Sequence, residues 1–122
     1  MNVLYNLCDC KEYILKRKEV IIFEGAKSCM KAYSWGYDNC CALLTSHLSE
    51  HQFKTLIKLG VSVVFALDAE IDITKDKNII RLLPYVPVFW IKGRGLIGDK
   101  DSPTDAGEEV FKTLYDGRVR LR

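Results

Sequence analysis

The sequence predicts an α/β fold in which a mainly parallel sheet of about four strands is flanked by helices. Apolar segments of strand length alternate with segments of helical period about four times along the 122 residues, without a long linker or an internal repeat. Two strand segments, residues 20–23 and 61–67, are almost entirely apolar, as in strands that are buried on both faces of a parallel sheet. An acidic residue directly follows each of these two segments.

The predicted elements follow from these segments and from the turn residues between them. We expect a covering helix at 8–18, strands at 20–23, 40–44, 61–67 and 86–91, and helices at 27–35, 49–60, 76–83 and 102–117. Ser49 and Gln52 form a capping-box pattern at the third helix, and Gly36 and Gly60 stand where left-handed helix ends are expected. Ser102 stands before a proline, which is typical of the start of a helix.

The chain is expected to form one domain, because single domains commonly contain about 100–150 residues. Residues 1–18 form the covering segment, residues 19–117 the core and residues 118–122 a tail. Arginines in that tail alternate with Val119 and Leu121, like a strand cut short where the sequence ends. No apolar run approaches the roughly 20 residues of a membrane helix, and the first residues lack a secretory signal, so a cytoplasmic protein is expected.

Composition excludes few functions. The net charge of +2 is too small to identify a nucleic-acid binder by itself, and 48% hydrophobic with 28% charged residues is ordinary for a globular protein. Five cysteines stand at positions 8, 10, 29, 40 and 41 without a C-x2-C pair, so a structural zinc site is not expected. In a reducing compartment they are expected to be small buried hydrophobic residues.

Acidic residues follow the predicted strands at the edge where α/β proteins bind ligands, beyond the carboxyl ends of the strands. They are Glu24 after the first strand, Asp68 and Glu70 after the third, and Asp99, Asp101 and Asp105 after the fourth. Two residues apart on an extended strand end, Asp68 and Glu70 should point the same way and reach one cation. Clustered carboxylates favour a hard cation such as Mg²⁺ or Mn²⁺.

Gly25 and the helix that follows it add an anion site to this edge. Gly25 lacks a Cβ, so a phosphate could approach the backbone, and the helix N-terminus behind it favours an anion. Each pattern alone has a simpler interpretation, since an E-G pair is usually a plain turn and an acid-x-acid pair is usually a solvated loop or cap. His47 and His51 are four residues apart, but a helix is expected to start between them, which disfavours a metal site.

The order of these motifs resembles that of the Toprim domain family over residues 20–116. The sequence has E-G at 24–25, an acid-x-acid pair at 68–70 and K-D-x-P at 100–103. Within the family, the phage- and prophage-type DNA primases are most similar, through L-Y-N-L at 4–7, E-G-A-K-S at 24–28, L-T-S-H-L-S at 44–49 and K-D-S-P-T-D-A-G at 100–107. The resemblance implies the Toprim fold, which is Rossmann-like, and a role in DNA replication.

The resemblance also implies roles for single residues. Glu24, Asp68 and Glu70 would be catalytic, with Glu24 as the general acid/base candidate, and the Mg²⁺ or Mn²⁺ ligands would be Glu24, Asp68, Glu70 and Asp101. Contacts to nucleotides or nucleic acid are expected from Gly25, Lys27, Arg94 and Lys100. The implied reaction is nucleotidyl transfer that makes an RNA primer. The partners of the protein would be a single-stranded DNA template and nucleoside triphosphates. A replicative helicase is a further possible partner, and no membrane is expected.

The sequence departs from the family pattern in three places, and two alternatives to a primase stay open. Glu70 stands where the family has a second Asp, Ser28 stands where replicative primases often have an Asp, and no glycine follows the acid pair. The alternatives are a stand-alone Toprim-type nuclease and a noncatalytic Toprim-like module that binds nucleic acid or a partner protein. If the segment belongs to a longer primase, a zinc-binding module and a basic template-binding subdomain would lie outside it, and the isolated domain could be inactive.

Overall fold

The fold is described by a computed structural model that covers residues 3–93, 97–98 and 101–122. Its helices are α1 (Leu7–Arg17), α2 (Ala26–Ser34), α3 (Glu50–Leu59), α4 (Lys77–Leu82) and α5 (Glu108–Asp116), and a 3₁₀ turn at Ile73–Lys75 precedes α4. Its strands are β1 (Glu19–Phe23), β2 (Cys40–Ala42), β3 (Ser62–Ala66), β4 (Val88–Trp90) and β5 (Val119–Leu121). None of the described helices is long and apolar enough to cross a membrane.

The described strands form one sheet in the order β2-β1-β3-β4-β5. β1 pairs in parallel with β2 and β3, β3 pairs in parallel with β4, and β5 joins β4 in the antiparallel direction. The predicted α/β fold with a mainly parallel sheet is confirmed, but the sheet has five strands where about four were predicted. The fifth strand comes from the predicted tail, where Val119 lies opposite Trp90 and Leu121 lies opposite Val88.

Helices cover both faces of the sheet, because successive residues of the inner strands alternate between the faces. Val20 and Ile22 of β1 pack with α1, α3 and α4, whereas Ile21 and Phe23 pack with α2 and α5, and all four are fully buried. On the second face, the ring of Phe111 from α5 lies 5.7 Å from the ring of Phe23. Burial on both sides explains why these strands are apolar at every inner position.

Contacts outside the main strand pairs hold the first and last parts of the sheet. Next to β2, Tyr5 N donates to Ala42 O at 2.9 Å and Ala42 N donates to Tyr5 O at 3.2 Å, which forms an antiparallel bridge. After α5, the Tyr115 hydroxyl donates to the carboxylate of Glu19 at the start of β1, and Arg118 lies 3.5 Å from the same carboxylate. The contacts of Tyr115 and Arg118 attach the end of α5 to the start of β1.

Most of the predicted helix boundaries are confirmed by their capping contacts. Ser49 Oγ accepts from Gln52 N at 3.1 Å, and Gln52 Oε1 accepts from Ser49 N at 3.0 Å, so both halves of the capping box are present. Gly60 ends α3 with φ 65°, and Gly36 follows α2 with φ 98°. Asp76 caps α4 through Asn78 N at 3.0 Å.

The predicted start of the last helix at Ser102 is wrong. Asp105 Oδ2 accepts from Ser102 N at 2.9 Å, and Asp105 N donates to Ser102 O at 3.0 Å, so these residues close a turn instead of starting a helix. Gly107 then has φ 99° and ψ 174°, a conformation that essentially only glycine adopts. This backbone geometry separates the turn from α5, which begins at Glu108.

We predict that Gly107→Ala lowers the free energy of unfolding by about 1–3 kcal/mol, because alanine is strained at this backbone conformation. A Cβ at Gly107 would meet no atom of the described residues within 4 Å, so crowding by them does not contribute. The matched control is Gly25→Ala, where a Cβ also has open space but φ is −110°. That change should alter stability by less than about 1 kcal/mol in either direction. Urea denaturation measures both variants, and equal losses would contradict the strain.

Candidate functional site

The carboxyl ends of β1 and β3 lie side by side, because Phe23 is paired with Ala66 in the parallel register. Glu24 directly follows Phe23, and Asp68 lies two residues beyond Ala66. The sheet therefore brings these two acidic residues, which are far apart in the sequence, to the same edge. This edge is the one at which α/β proteins commonly bind ligands.

Backbone hydrogen bonds tie the neighbouring loops to this edge. Leu44 N donates to Glu24 O at 2.8 Å, and Ala69 N donates to Asp101 O at 3.0 Å. Leu44 has φ 65°, which is unusual for a bulky residue and turns the chain sharply after β2. The loop after β2 and the loop that contains Asp101 are therefore fixed against the ends of β1 and β3.

A cleft of about 280 Å³ opens at this edge, and we call it the acid cleft. It is lined by Glu24, Gly25, Lys27, Ser28, Asp68, Ser102 and Asp105. Four of the residues predicted from the sequence, Glu24, Gly25, Lys27 and Asp68, thus share one concave surface. The carboxylates of Glu24 and Asp68 enter it from two adjacent strands.

Glu70 lies outside the acid cleft. It is exposed and lines a neighbouring cleft of about 240 Å³, together with Ser46, His47, Ile71, Asp72, Lys75 and Asp76. The extended strand end on which Asp68 and Glu70 were expected to point the same way is absent, because β3 ends at Ala66. Asp68 O instead accepts from Ile71 N at 2.9 Å, which closes a turn and separates the two side chains.

Asp105 takes the position in the acid cleft that the sequence assigned to Asp101. The carboxylate of Asp101 accepts a hydrogen bond from Gly98 N at 2.9 Å, and Asp101 does not line the cleft. Asp105 lies on the turn before α5 and does line it. Asp105 belongs to the K-D-S-P-T-D segment that stands out in the sequence. We interpreted that segment as the start of a helix, and so Asp105 was not assigned as a ligand.

Burial and neighbouring negative charges raise the pKa of Glu24 and of Asp68. Burial raises the pKa of Glu24, and the negative charges of Asp68 and Glu70 raise it further, while His47 acts in the opposite direction. Burial also raises the pKa of Asp68, followed by the charges of Asp105, Glu70 and Asp101. Glu70 and Asp101 are therefore close enough to act on the acid cleft electrostatically, although neither lines it.

The donor atoms at this edge fit a hard divalent cation. They are carboxylate oxygens, which Mg²⁺ and Mn²⁺ prefer, and Glu24 Oε1 is buried without a hydrogen-bond partner among the described residues. Within residues 3–93, 97–98 and 101–122, however, no three His, Cys, Asp or Glu side chains stand close enough to hold a metal ion. Side-chain rotation would be needed to bring a third acidic group to Glu24 and Asp68.

Positive charge stands beside the acids on α2. Lys27 lines the acid cleft, and Lys31, one turn later, lies 3.8 Å from the carboxylate of Asp105. Lys31 was not predicted, although its spacing of four from Lys27 places both on one helix face. The predicted contacts Arg94 and Lys100, like the candidate acid Asp99, lie outside the described residues.

The histidine and cysteine predictions have mixed outcomes. α3 begins at Glu50, between His47 and His51, as predicted. Cys10, Cys29, Cys40 and Cys41 are buried, which confirms their predicted place in the core, but Cys8 is exposed.

Sequence comparison finds a prophage relative and, over a shorter stretch, a primase. No protein-family model matches the chain. The chain is 33% identical over 140 aligned positions to the SPbeta prophage-derived uncharacterized protein YorJ of Bacillus subtilis, and this match covers 97% of the chain and 37% of that protein. It is 35% identical over 65 residues to a DNA primase of Chlamydia muridarum, which covers 53% of the chain and 11% of the primase. The chain thus spans 37% of the length of the prophage protein and 11% of the length of the primase.

Solved primase structures resemble the chain over nearly its whole length. The zinc-binding and RNA polymerase domains of the Aquifex aeolicus primase match 98% of it, with a TM-score of 0.73 and 23% identity. A DNA primase domain from Pseudomonas aeruginosa matches 97% of it, with a TM-score of 0.69 and 22% identity. This chain has the fold of a primase domain. It corresponds to 30% and 39% of those two solved chains, so the likeness concerns one part of each.

We predict that Glu24→Gln raises the free energy of unfolding at neutral pH in metal-free buffer, because it removes a charge that burial and neighbouring carboxylates disfavour. The pKa of Glu24 is higher in the folded protein than in the unfolded chain. At pH values between these two pKa values, the folded wild-type protein therefore binds more protons than the unfolded chain. Wild-type stability therefore falls as the pH rises through that interval, and the advantage of the variant should shrink as the pH falls back through it.

The control for this experiment is Glu50→Gln, which should have the opposite sign. The hydrogen bond from Arg81 lowers the pKa of Glu50, so that charge is favourable in the folded protein at neutral pH. Urea denaturation at several pH values measures both variants. A Glu24→Gln protein that is less stable than the wild type at neutral pH would contradict the electrostatic interpretation of the acid cleft.

Proposed function

We propose that this chain is the Toprim-type catalytic domain of a phage- or prophage-type DNA primase, a nucleotidyltransferase that makes RNA primers on single-stranded DNA. The observation that carries the proposal is the shared cleft of Glu24 and Asp68 at the carboxyl ends of adjacent parallel strands. The likeness to solved primase domains and the order of the Toprim-like motifs support it.

The acidic residues would hold Mg²⁺ or Mn²⁺. Glu24 and Asp68 are the central ligands in this proposal, because both line the acid cleft and one oxygen of Glu24 has no hydrogen-bond partner in the described part of the chain. Glu70 and Asp101 remain proposed ligands because of the resemblance. Asp105 is a further proposed ligand because it lines the acid cleft. A divalent ion supplies activation of the attacking 3′-hydroxyl and neutralisation of the leaving pyrophosphate.

The substrate phosphates would lie on the α2 side of the acid cleft. Gly25 precedes α2 and leaves open space where a Cβ would stand, so a phosphate can approach the backbone there. No side chain of the described residues caps the N-terminus of α2, so the N–H groups of its first turn can bind an anion, and Lys27 adds a positive charge. Arg94 and Lys100 are proposed as further contacts to nucleoside triphosphates or to the template, as the sequence predicts.

A noncatalytic Toprim-like module is the second candidate, and one observation favours it. Glu70 lines the neighbouring cleft, and among the described residues no three acidic groups converge as a ready metal site. Such a module would keep the fold and bind nucleic acid or a partner protein. Because the chain spans only part of its relatives, the template, the nucleoside triphosphates and a replicative helicase are proposed partners of a longer primase.

We predict that Mn²⁺ raises the melting temperature of the protein and that Glu24→Gln and Asp68→Asn each abolish this rise. A ligand at 10 to 100 times its dissociation constant stabilises the folded state by about 1.4–2.7 kcal/mol. Glu50→Gln is the control, since Glu50 is exposed on α3 and pairs with Arg81 away from the acid cleft. A rise that is equal in all four proteins, or absent from the wild type, would contradict a metal site at Glu24 and Asp68.

We also predict that Asp105→Asn weakens Mn²⁺ binding by roughly tenfold, whereas Asp101→Asn weakens it less. A tenfold loss corresponds to about 1.4 kcal/mol, and Asp105 is the one of the two that lines the acid cleft. Titration of Mn²⁺ followed by electron paramagnetic resonance measures both affinities. A larger effect of Asp101→Asn would contradict this prediction and would indicate that Asp101 is the metal ligand, as the resemblance implies.

The reaction is tested with a labelled single-stranded DNA template, nucleoside triphosphates and Mn²⁺. Synthesis of RNA that depends on Glu24 supports the primase proposal. Shortening of the template, also dependent on Glu24, would instead support a Toprim nuclease and overturn the proposed reaction. Tight template binding with neither product would favour the noncatalytic module.

A further inference from the structure

Strand β2 carries two consecutive cysteines that face opposite sides of the sheet, and each meets a cysteine from a covering helix. On one face, Cys41 Sγ lies 3.4 Å from Cys10 Sγ of α1. On the other face, Cys40 Sγ lies 3.5 Å from Cys29 Sγ of α2. All four are fully buried. The sequence spacing gave no sign of these contacts, since the paired cysteines are far apart along the chain.

We propose that Cys10 and Cys41 form a redox-sensitive pair, which a hydroperoxide converts into a disulfide that fastens α1 to β2. The two sulfur atoms are already in contact and need to approach only from 3.4 Å to the disulfide bond length of about 2.05 Å. This modification is separate from the proposed primase activity, because neither residue lines the acid cleft.

The start of α1 is held along β2, which keeps the pair in register. Tyr5 forms the antiparallel bridge with Ala42, the residue after Cys41. The side chain of Asn6 donates to Cys40 O at 3.1 Å, and Cys10 Sγ donates to the same carbonyl oxygen at 3.3 Å. Both backbones are therefore held near the sulfur contact.

Cys10 is the better nucleophile of the proposed pair, because its pKa is lowered and that of Cys41 is raised. The hydrogen bond from Cys41 lowers the pKa of Cys10, and its place near the start of α1 adds the favourable field of a helix N-terminus. In the second pair, the hydrogen bond with Cys29 and burial raise the pKa of Cys40.

The reaction balances with one hydroperoxide for each disulfide. The Cys10 thiolate attacks one peroxide oxygen, the O–O bond breaks, and with hydrogen peroxide a sulfenic acid and one water form. The sulfur of Cys41 then attacks the Cys10 sulfur and displaces the hydroxyl as a second water. The two sulfur atoms lose two electrons to the peroxide, and both thiol protons end in water. Because both thiols are buried, the oxidant reaches them when α1 opens locally.

The disulfide would constrain the unfolded chain, because it links residues 31 positions apart in the sequence. It would also fix β2 just before Leu44, whose N–H group holds the carbonyl of Glu24. The expected result is a melting temperature higher by roughly 5 °C or more in the oxidised protein than in the reduced protein.

The experiment uses Cys8→Ser protein, which lacks the exposed thiol. The protein is treated with hydrogen peroxide, the remaining thiols are alkylated under denaturing conditions, and the digest is analysed by mass spectrometry without reductant. We expect a linked peptide that joins Cys10 to Cys41, disappears with dithiothreitol and accompanies the rise in melting temperature. Adding Cys29→Ala should leave the link unchanged, whereas adding Cys10→Ala should remove both the link and the rise.

Two results would overturn the proposal. One is complete alkylation of Cys10 and Cys41 after peroxide treatment, and the other is a link between Cys29 and Cys40 in place of the proposed one. If Cys10→Ala fails to fold, the peptide map of the Cys8→Ser protein decides the question by itself.

Discussion

The parallel register of β1 and β3 is the constraint on which the rest of the candidate site depends. Because Phe23 lies opposite Ala66, two chain segments end at the same level and deliver Glu24 and Asp68 to one cleft. Burial and mutual repulsion make these two carboxylates unfavourable partners, as their raised pKa values indicate. Lys27 in the same cleft offsets part of this negative charge, and the divalent cation that we propose would offset more of it.

The sequence predicted the elements that are set by local chemistry. The apolar run of β3 and the capping box at Ser49 gave the positions of a strand and a helix within about two residues, because burial and end capping act over short stretches. The start of α5 was missed because Asp105 accepts a hydrogen bond from Ser102 N in this turn, as it would in a capping box. The positive φ of Gly107, which ends the turn, is a property of the folded backbone.

The residues that line the acid cleft were harder to predict than the position of the cleft in the fold. Glu24 and Asp68 lie within two residues of the ends of β1 and β3, and both are at the edge of the sheet that the strand pattern predicted. Glu70 and Asp101 depend on loop conformations, and backbone contacts such as Ala69 N to Asp101 O, which bring distant segments together, decide those conformations. Sequence spacing carries no record of such contacts, so it placed Asp101 and Asp105 at the same edge without showing that Asp105 is the one that lines the acid cleft.

The bridge between Tyr5 and Ala42 has a consequence for how this sheet can associate. It occupies backbone groups of β2 that would otherwise be open to a further strand, so the β2 edge is shielded from edge-to-edge pairing. The opposite edge of the described sheet is β5, where Arg120 and Arg122 carry positive charge that repels an identical strand. Aggregation is thus resisted by hydrogen bonding on one side of the molecule and by like-charge repulsion on the other.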